Sequence, residues 1–346
     1  MSQDVPAPVR WAAVVYNPVK VDPVQLRPVI DAAARRAGWG DTRWYETSVA
    51  DPGAGQAKQA SADGAEVVLA AGGDGTIRAV AEGLRDGDVP IALLPTGTAN
   101  LLARNLKLTL DRLEESVATA FTGVDRRIDL GIAELERSDG SRETRAFLVL
   151  AGIGLDAAMI ANTDPELKRR VGWLAYVGGI ARSVSRSNAI HVRFKLDDDH
   201  SRALRVNAFL IGNCGVLTGN IMLLPEAAVD DGLFDIVALR PEGLLGWVQI
   251  VWKVLWENGV LRRSTLGRKI LKNTKEVRTL RYLRGKRITV RPDAPQHCQL
   301  DGDAMGEIVA LRAHVDELAL AVRIPRDEGQ RLPASEEAEA KEAGAA

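Results

Sequence analysis

Two glycine-rich loops, each following an apolar segment, have the composition of phosphate-binding turns. The first is Gly72-Gly73-Asp74-Gly75-Thr76, directly after the apolar residues 67–71. Glycine lets a backbone turn tightly and approach a ligand closely, and free N–H groups at a helix start favour phosphate. A carboxylate in such a loop needs a divalent cation between itself and the phosphate, or a hydroxyl to orient. The alternative is a structural turn in which Asp74 caps a helix.

The second loop, residues 95–100, has the sequence Pro-Thr-Gly-Thr-Ala-Asn. It follows the apolar run 89–94 and opens a predicted helix at Leu101–Asn105. Ligands of open α/β sheets bind at the carboxyl edge of the strands, so the two loops predict one site there. The first loop is not a Walker loop, because no Gly-Lys-Ser/Thr follows it.

Two turns in the second half of the chain each contain a pair of aspartates and a glycine. They are Leu300-Asp301-Gly302-Asp303 and Asp230-Asp231-Gly232-Leu233. Transfer of a phosphoryl group to an alcohol needs a group that accepts the hydroxyl proton and a cation that neutralises charge, usually Mg²⁺. Both turns are also ordinary Asp-Gly turns between strands, and that structural interpretation stays open.

The apolar periodicity predicts two domains that differ in architecture. Up to about Asp129, short strands alternate with helices, which predicts a parallel sheet with helices on both faces. After it, strands separated by Asp-Gly turns predict a mostly antiparallel domain, interrupted by helices at 165–185 and 244–259. A last strand is predicted at 318–325, and the Ala/Glu-rich tail 326–346 is predicted to be disordered.

The bulk composition excludes several classes of protein. The chain has 346 residues, enough for one large domain or two modest ones, and its 45 basic and 46 acidic residues leave almost no net charge. Cys214 and Cys298 stand alone, which argues against a disulfide framework or a zinc site and favours a reducing compartment.

The N-terminus lacks the pattern of a signal peptide. The longest apolar stretch, residues 243–261, contains two charged residues and predicts an amphipathic helix, not a membrane span.

Five motifs in order resemble the lipid kinase family of diacylglycerol and sphingosine kinases. They are GGDGT, PTGTANLLAR, IDLG, PEAAVDDGLFDI and LDGD, within a match from about residue 10 to residue 325. The resemblance implies an NAD kinase/diacylglycerol kinase-like α/β fold. A three-layer α/β nucleotide domain would span residues 10–129, and the final strand, 318–325, would return to its sheet. A β-sandwich domain that binds the lipid would span residues 130–317. It also implies ATP-dependent, Mg²⁺-assisted phosphorylation of a hydroxyl of diacylglycerol or a related lipid.

The resemblance also implies roles for individual residues. Asp303 stands where the family has a glutamate that accepts the proton, and Asp74 and Asp129 would belong to the catalytic carboxylate network. Asp231 would bind a metal with the backbone carbonyls of Ala228 and Leu233. Arg78 and Leu101 replace an asparagine and an aspartate common in the family. The implied nucleotide contacts are Asn17, Pro18, Thr47, Gly72, Gly73, Asp74, Gly75, Thr76 and Thr98.

A cationic segment beside a tryptophan-rich helix predicts contact with an anionic membrane. Residues 262–287 contain eleven Lys and Arg against one acid, and Trp247, Trp252 and Trp256 precede them. This composition occurs at membrane interfaces. We therefore expect a cytoplasmic enzyme at the inner membrane face, with a lipid substrate, no nucleic-acid partner, and a homodimer left open. The alternative is that the tryptophans pack in a core and the charges are solvated.

Two other functions share these features. NAD kinases carry a similar Gly-Gly-Asp-Gly loop, but their second motif differs from the PTGTANLL of this chain. A non-catalytic nucleotide or lipid sensor of the same fold is the other alternative, supported by the changes at Arg78, Leu101 and Asp303.

Overall fold

The computed structural model describes residues 10–97, 99–110, 112–154, 189–217, 221–224, 226–240 and 280–326. The chain divides into two compact units. The first runs to Ile128 and resumes at Leu318, and the second runs from Asp129 to Glu317. The predicted helices at 165–185 and 244–259, the cationic run as far as 279, Thr98 and the tail from 327 lie outside the described residues. No described helix has the length and apolar character needed to span a bilayer.

Strands and helices alternate in the first unit, as predicted. Its strands lie side by side in the order β2-β1-β3-β4-β18, and every neighbouring pair is parallel. The elements are β1 Ala12–Tyr16, α1 Pro23–Arg36, β2 Arg43–Glu46, α2 Ala54–Ala62, β3 Val67–Gly72, α3 Asp74–Leu84, β4 Ile91–Pro95, α4 Leu101–Asn105, α5 Leu113–Thr122, the start of β5 Val124–Glu136, and the end of β18 Ala310–Ile324.

Helices cover both faces of this sheet because its central strands are apolar on both sides. β1 and β3 are buried at every position, as expected for strands of a parallel sheet. Val14, Leu69 and Leu94 share one hydrophobic cluster with α1 and α5. The alternate residues of the same strands face the layer formed by α2 and α3, which pack on each other. The predicted three-layer α/β architecture is confirmed.

The second unit is a sandwich of two antiparallel sheets. One has the order β14-β13-β10-β7-β16-β17. The other contains β18, β15, β8 and β9, with β5 pairing with both β18 and β6. The elements after β5 are β6 Arg142–Phe147, β7 Leu150–Ile153, β8 Ile190–Leu196, β9 Arg202–Val206, β10 Ala208–Gly212, β11 Val216–Leu217, β12 Ile221–Met222, β13 Phe234–Leu239, β14 Leu280–Gly285, β15 Arg287–Pro292, β16 Gln296–Leu300 and β17 Asp303–Ile308.

Aromatic pairs join the two sheets of the sandwich. Phe147 stacks on Phe234 with ring centroids 5.4 Å apart, and Phe194 lies 5.6 Å from Phe209. Each pair takes one ring from each sheet, and all four side chains belong to one buried cluster. Such pairs contribute about 0.5–1.5 kcal/mol beyond the burial of their area. The predicted β-sandwich is thus confirmed.

Two elements differ from the prediction. The sequence analysis did not identify α5, whose ten residues are largely small or polar on the outer face. The last strand was predicted from residue 318, but β18 begins at Ala310. Its first half alternates apolar with charged residues, because one face packs in the sandwich, whereas its last six residues are all buried. A search for a continuous apolar run therefore finds only the second half of this strand.

Candidate functional site

The first glycine loop joins β3 to α3, as the sequence predicts. The N-cap residue of α3 is Gly73, which has no side chain that could accept a hydrogen bond from the first N–H groups of the helix. A Cβ on Gly72 would lie 2.6 Å from Cβ of Thr76, so only glycine fits there. The N-terminus of α3 can therefore donate its N–H groups to a phosphate.

The second glycine loop lies directly against the first. A Cβ on Gly97 would lie 2.8 Å from Cα of Gly73, which requires glycine at this close approach of two backbones. The Thr96 N–H donates to the Gly72 carbonyl at 3.2 Å. The two loops therefore form one continuous backbone surface.

Asp74 connects the two loops. Its carboxylate accepts hydrogen bonds from the backbone N–H of Asn100 at 3.0 Å and of Leu101 at 2.6 Å. It therefore caps α4. Asn100 has a left-handed backbone with φ 47°, and its Oδ1 is buried without a donor among the described residues.

The other predicted nucleotide residues lie at the carboxyl ends of β1 and β2. Asn17 donates its N–H to the Ala71 carbonyl at 3.0 Å, which ties it to the end of β3. Its Oδ1 accepts the Val19 N–H at 2.9 Å and closes a turn around Pro18. Thr47 follows β2 and is buried. Because these strands are parallel, the predicted residues that the structure describes share one edge of the sheet.

Lys20 is a site residue that the sequence analysis missed. Its Nζ lies 2.7 Å from the position that a Cβ on Gly73 would take. An ammonium group directly above a phosphate-binding turn would form a charge-assisted contact with a bound phosphate. The signal was a lysine three residues after Asn17, in the same loop.

In the second unit, Asp301 and Asp303 have different environments although only one residue separates them. Asp301 and Gly302, with φ 51° and 91°, form the two-residue turn between β16 and β17. The buried Asp301 carboxylate accepts the backbone N–H groups of Leu148, Val149 and Leu150 at 2.8, 2.8 and 2.9 Å. Asp303 is only partly buried at the start of β17. Asp301 therefore anchors the turn that presents Asp303.

Asp129 is fully buried and supports the other acidic turn. Its carboxylate accepts the Gly232 N–H at 2.7 Å, and its own N–H donates to the Val229 carbonyl at 2.7 Å. These contacts fix the loop that carries Asp231.

Asp231 belongs to a group of acidic side chains with one guanidinium among them. It accepts the Leu233 N–H at 3.0 Å and pairs with Arg284, whose Nε lies 3.3 Å from Asp235. Burial raises the pKa of Asp231 and is the main cause that raises the pKa of Asp235 to about 6, with the charges of Asp231 and Glu226 adding to it. Oδ2 of Asp235 is buried with no hydrogen-bond donor among the described residues.

These groups contain donors of the kind that a divalent cation binds. The donors are oxygens, which Mg²⁺ and Ca²⁺ prefer. A cation would also supply a partner for Oδ2 of Asp235, which has no hydrogen-bond donor among the described residues. In the described ranges, no three acidic, His or Cys side chains form a complete metal cage. The backbone carbonyls of Ala228 and Leu233 would have to supply the other ligands of Asp231's cation.

The first unit, a parallel sheet with two joined glycine loops at its carboxyl edge, has the arrangement of a nucleotide-binding α/β domain. The second unit is an antiparallel sandwich that carries the two acidic turns. Two family models match the chain. Diacylglycerol kinase catalytic domain matches residues 12–133, and YegS C-terminal NAD kinase beta sandwich-like domain matches residues 149–323. The chain belongs to the family of diacylglycerol kinases and YegS-like lipid kinases.

Relatives and a solved structure agree with this placement. The chain is 23% identical to a diacylglycerol kinase of Bacillus subtilis, over 93% of this chain and 98% of the relative. It is 32% identical to a probable lipid kinase YegS-like of Xanthomonas euvesicatoria, over 66% and 73%. A crystal structure of a Bacillus anthracis diacylglycerol kinase has the same fold, with a TM-score of 0.63 at 16% identity, covering 91% and 96%. Other relatives are matched over little more than half their length, 53% for a Synechocystis protein and 59% for one of Pseudomonas fluorescens.

Proposed function

We propose that this protein is an ATP-dependent lipid kinase that phosphorylates a hydroxyl of diacylglycerol or a related lipid. The observation that carries the proposal is the Gly72–Thr76 turn, with an uncapped α3 N-terminus and the Lys20 ammonium above Gly73. Backbone N–H groups and a cation at one point favour the phosphates of a nucleotide. Membership of the kinase family supports this use of the turn.

The nucleotide would be held by the residues at the sheet edge. Asn17, Thr47 and the turn 72–76 would contact it, and we assign Thr98 the same role on the resemblance alone. Asp74 keeps the second loop in register with the first through Asn100 and Leu101. Bound Mg²⁺ would neutralise charge on the transferring phosphate.

The proton of the acceptor hydroxyl would pass to the carboxylate of Asp303. Its partial exposure leaves it accessible to a substrate, whereas Asp301 has three backbone hydrogen bonds and no such access. General-base catalysis of this kind contributes about 10²–10⁴-fold to a rate. Asp129 would act indirectly, through the loop around Asp231.

The acidic turn at Asp231 would bind a divalent cation with a structural role. Asp231, with the carbonyls of Ala228 and Leu233, would supply the ligands, and Arg284 would neutralise part of the remaining charge. The second partner in our proposal is an anionic membrane at the cytoplasmic face, bound by the cationic residues 262–287, most of which lie outside the described residues.

Radiolabelled ATP offered with a panel of acceptors tests the proposal. The panel should contain diacylglycerol, a sphingoid base and phosphatidylglycerol in mixed vesicles, and NAD as the acceptor of the alternative kinase. We expect label in at least one lipid, none in NAD, and loss of transfer in Asp303→Asn. Label in NAD alone, or no transfer to any lipid in the presence of Mg²⁺, would refute the lipid kinase.

The same vesicles test the membrane partner. Sedimentation should increase with the fraction of anionic lipid and decrease with salt, because the contact is electrostatic. Equal sedimentation with neutral and anionic vesicles would argue against it.

A further inference from the structure

A cavity of about 560 Å³ lies in the first unit, and none of the residues assigned above to the nucleotide lines it. Its walls come from β4, the segment after α4, one side of α5 and the end of β18. This volume is within the range of small-molecule sites, about 300–1,000 Å³. The polar side chains that matter for its chemistry are Lys107, Thr109, Ser116, Thr119, Thr122 and Arg326.

The cavity carries positive charge that its own walls do not neutralise. Arg323 is paired with Asp125, and Glu115 is paired with Arg112, so these four charges cancel. Lys107 has no acidic partner in the described part of the chain, and Arg326 donates only to the Thr122 carbonyl, at 2.9 Å. Two cations therefore remain for a ligand, and an anionic group would complement them.

One wall of the cavity is a row of hydroxyl groups on α5. Ser116, Thr119 and Thr122 are spaced three residues apart, so they lie along one side of the helix. Thr119 and Thr122 donate back to the carbonyls four residues earlier, each at 2.9 Å, and Ser116 does the same at 3.4 Å. Their oxygens are then free to accept hydrogen bonds. A ligand with its own hydroxyl groups could donate to this row.

Lys107 occupies a backbone position that normally favours glycine. It follows the last turn of α4 with φ 57°, and Leu108 donates its N–H to the Ala103 carbonyl at 2.9 Å, as in a Schellman motif. A lysine here is strained relative to glycine. A lysine kept in this conformation indicates that its side chain has a use. Because glycine adopts the same conformation without strain, Lys107→Gly should leave the fold intact.

We propose that this cavity is a second ligand site, which binds a small anionic polyol. Lys107 and Arg326 hold its anionic group, a phosphate ester in the first place, and the α5 hydroxyls accept from its hydroxyl groups. This chemistry is shared by a free phosphorylated polyol and by the glycerophosphate headgroup of a lipid. The cavity shares no lining residue with the nucleotide loops.

Calorimetric titration of the full chain with glycerol 3-phosphate tests the proposal, and vesicles of phosphatidylglycerol or phosphatidylcholine form the second arm. We expect Lys107→Gly and Arg326→Met each to weaken binding about tenfold or more, the effect of one lost charge-assisted contact. Lys58→Met, which removes a cation from α2 instead, is the matched control and should bind as the wild type does.

The two arms separate the two sources of the ligand. Binding of glycerol 3-phosphate that Lys107→Gly weakens identifies a free phosphate ester. Binding to phosphatidylglycerol vesicles that Lys107→Gly weakens, without binding of the soluble ester, identifies a headgroup. The proposal is overturned if neither ligand binds, or if Lys107→Gly binds as tightly as Lys58→Met. Retained kinase turnover in Lys107→Gly would show that the variant is folded.

Discussion

Replacing Asp301 with asparagine should destabilise the second unit, whereas the same replacement at Asp303 should strongly lower turnover. In the wild type, Oδ1 of Asp301 accepts two backbone N–H groups and Oδ2 accepts a third. Asparagine can keep its carbonyl oxygen at the first position, but its NH₂ group would then face the Leu148 N–H, donor against donor. The variant therefore keeps two weaker bonds and leaves one buried N–H without an acceptor.

The magnitude follows from these three contacts. A hydrogen bond to a charged group contributes about 1 kcal/mol more than a neutral one, so two weakened bonds remove about 2 kcal/mol. The orphaned N–H adds about 1–3 kcal/mol, for a total of about 3–5 kcal/mol. For a unit of this size, the melting temperature should fall by about 6–20 °C.

Differential scanning calorimetry of both variants, beside a lipid kinase assay, measures the contrast. Asp303→Asn should melt within a few degrees of the wild type, while kcat falls about 10²–10⁴-fold and the KM for nucleotide changes little. Asp303→Glu, which restores the residue of the family, is the conservative control. If Asp301→Asn melts like the wild type and is inactive while Asp303→Asn is active, the general base is Asp301 and the reasoning fails.

Three further predictions concern other parts of the molecule. Asp74→Ala should lower turnover by more than tenfold, which is about 1.4 kcal/mol of activation free energy, because it releases α4 from the first loop. A variant with unchanged circular dichroism and more than a tenth of the activity would contradict this role. Cys214 and Cys298 should not react with a thiol reagent at pH 8 until urea is added, because burial raises the pKa of both thiols, that of Cys298 to about 12; rapid labelling of the native protein would contradict the burial. Mg²⁺ should raise the melting temperature of the wild type but not of Asp231→Asn, and an equal rise in both would place the cation elsewhere.

The sheet and the glycine loops could be predicted because their signals are local. An apolar strand followed by glycines and a helix fixes the position of Gly72–Thr76 within a few residues, and the parallel order places the second loop beside it. The contact of Asp74 with Asn100 and Leu101 could not be predicted in this way. It depends on the fold that brings α4 to the first loop, and no local pattern in the sequence encodes it.

The acidic turn at residues 300–303 shows the same division. The Asp-Gly pair predicts the turn, but it does not distinguish an anchoring carboxylate from a catalytic one. That distinction comes from the three N–H groups at residues 148–150, which lie 151–153 residues away along the chain. Lys20 was missed for a related reason, since a lysine in an exposed loop is ordinary until the fold places it above Gly73.

The return of β18 to the first unit has a consequence for the order of events on the ribosome. The second unit is one uninterrupted stretch of chain, so it can fold as soon as it has emerged. The sheet of the first unit must wait, because β4 has no outer neighbour until Val322 and Arg323 pair with Ile91 and Ala92. Until then β4 is an exposed apolar strand, the kind of edge that promotes aggregation. A chain whose synthesis stops before residue 318 should therefore aggregate through the half that was made first.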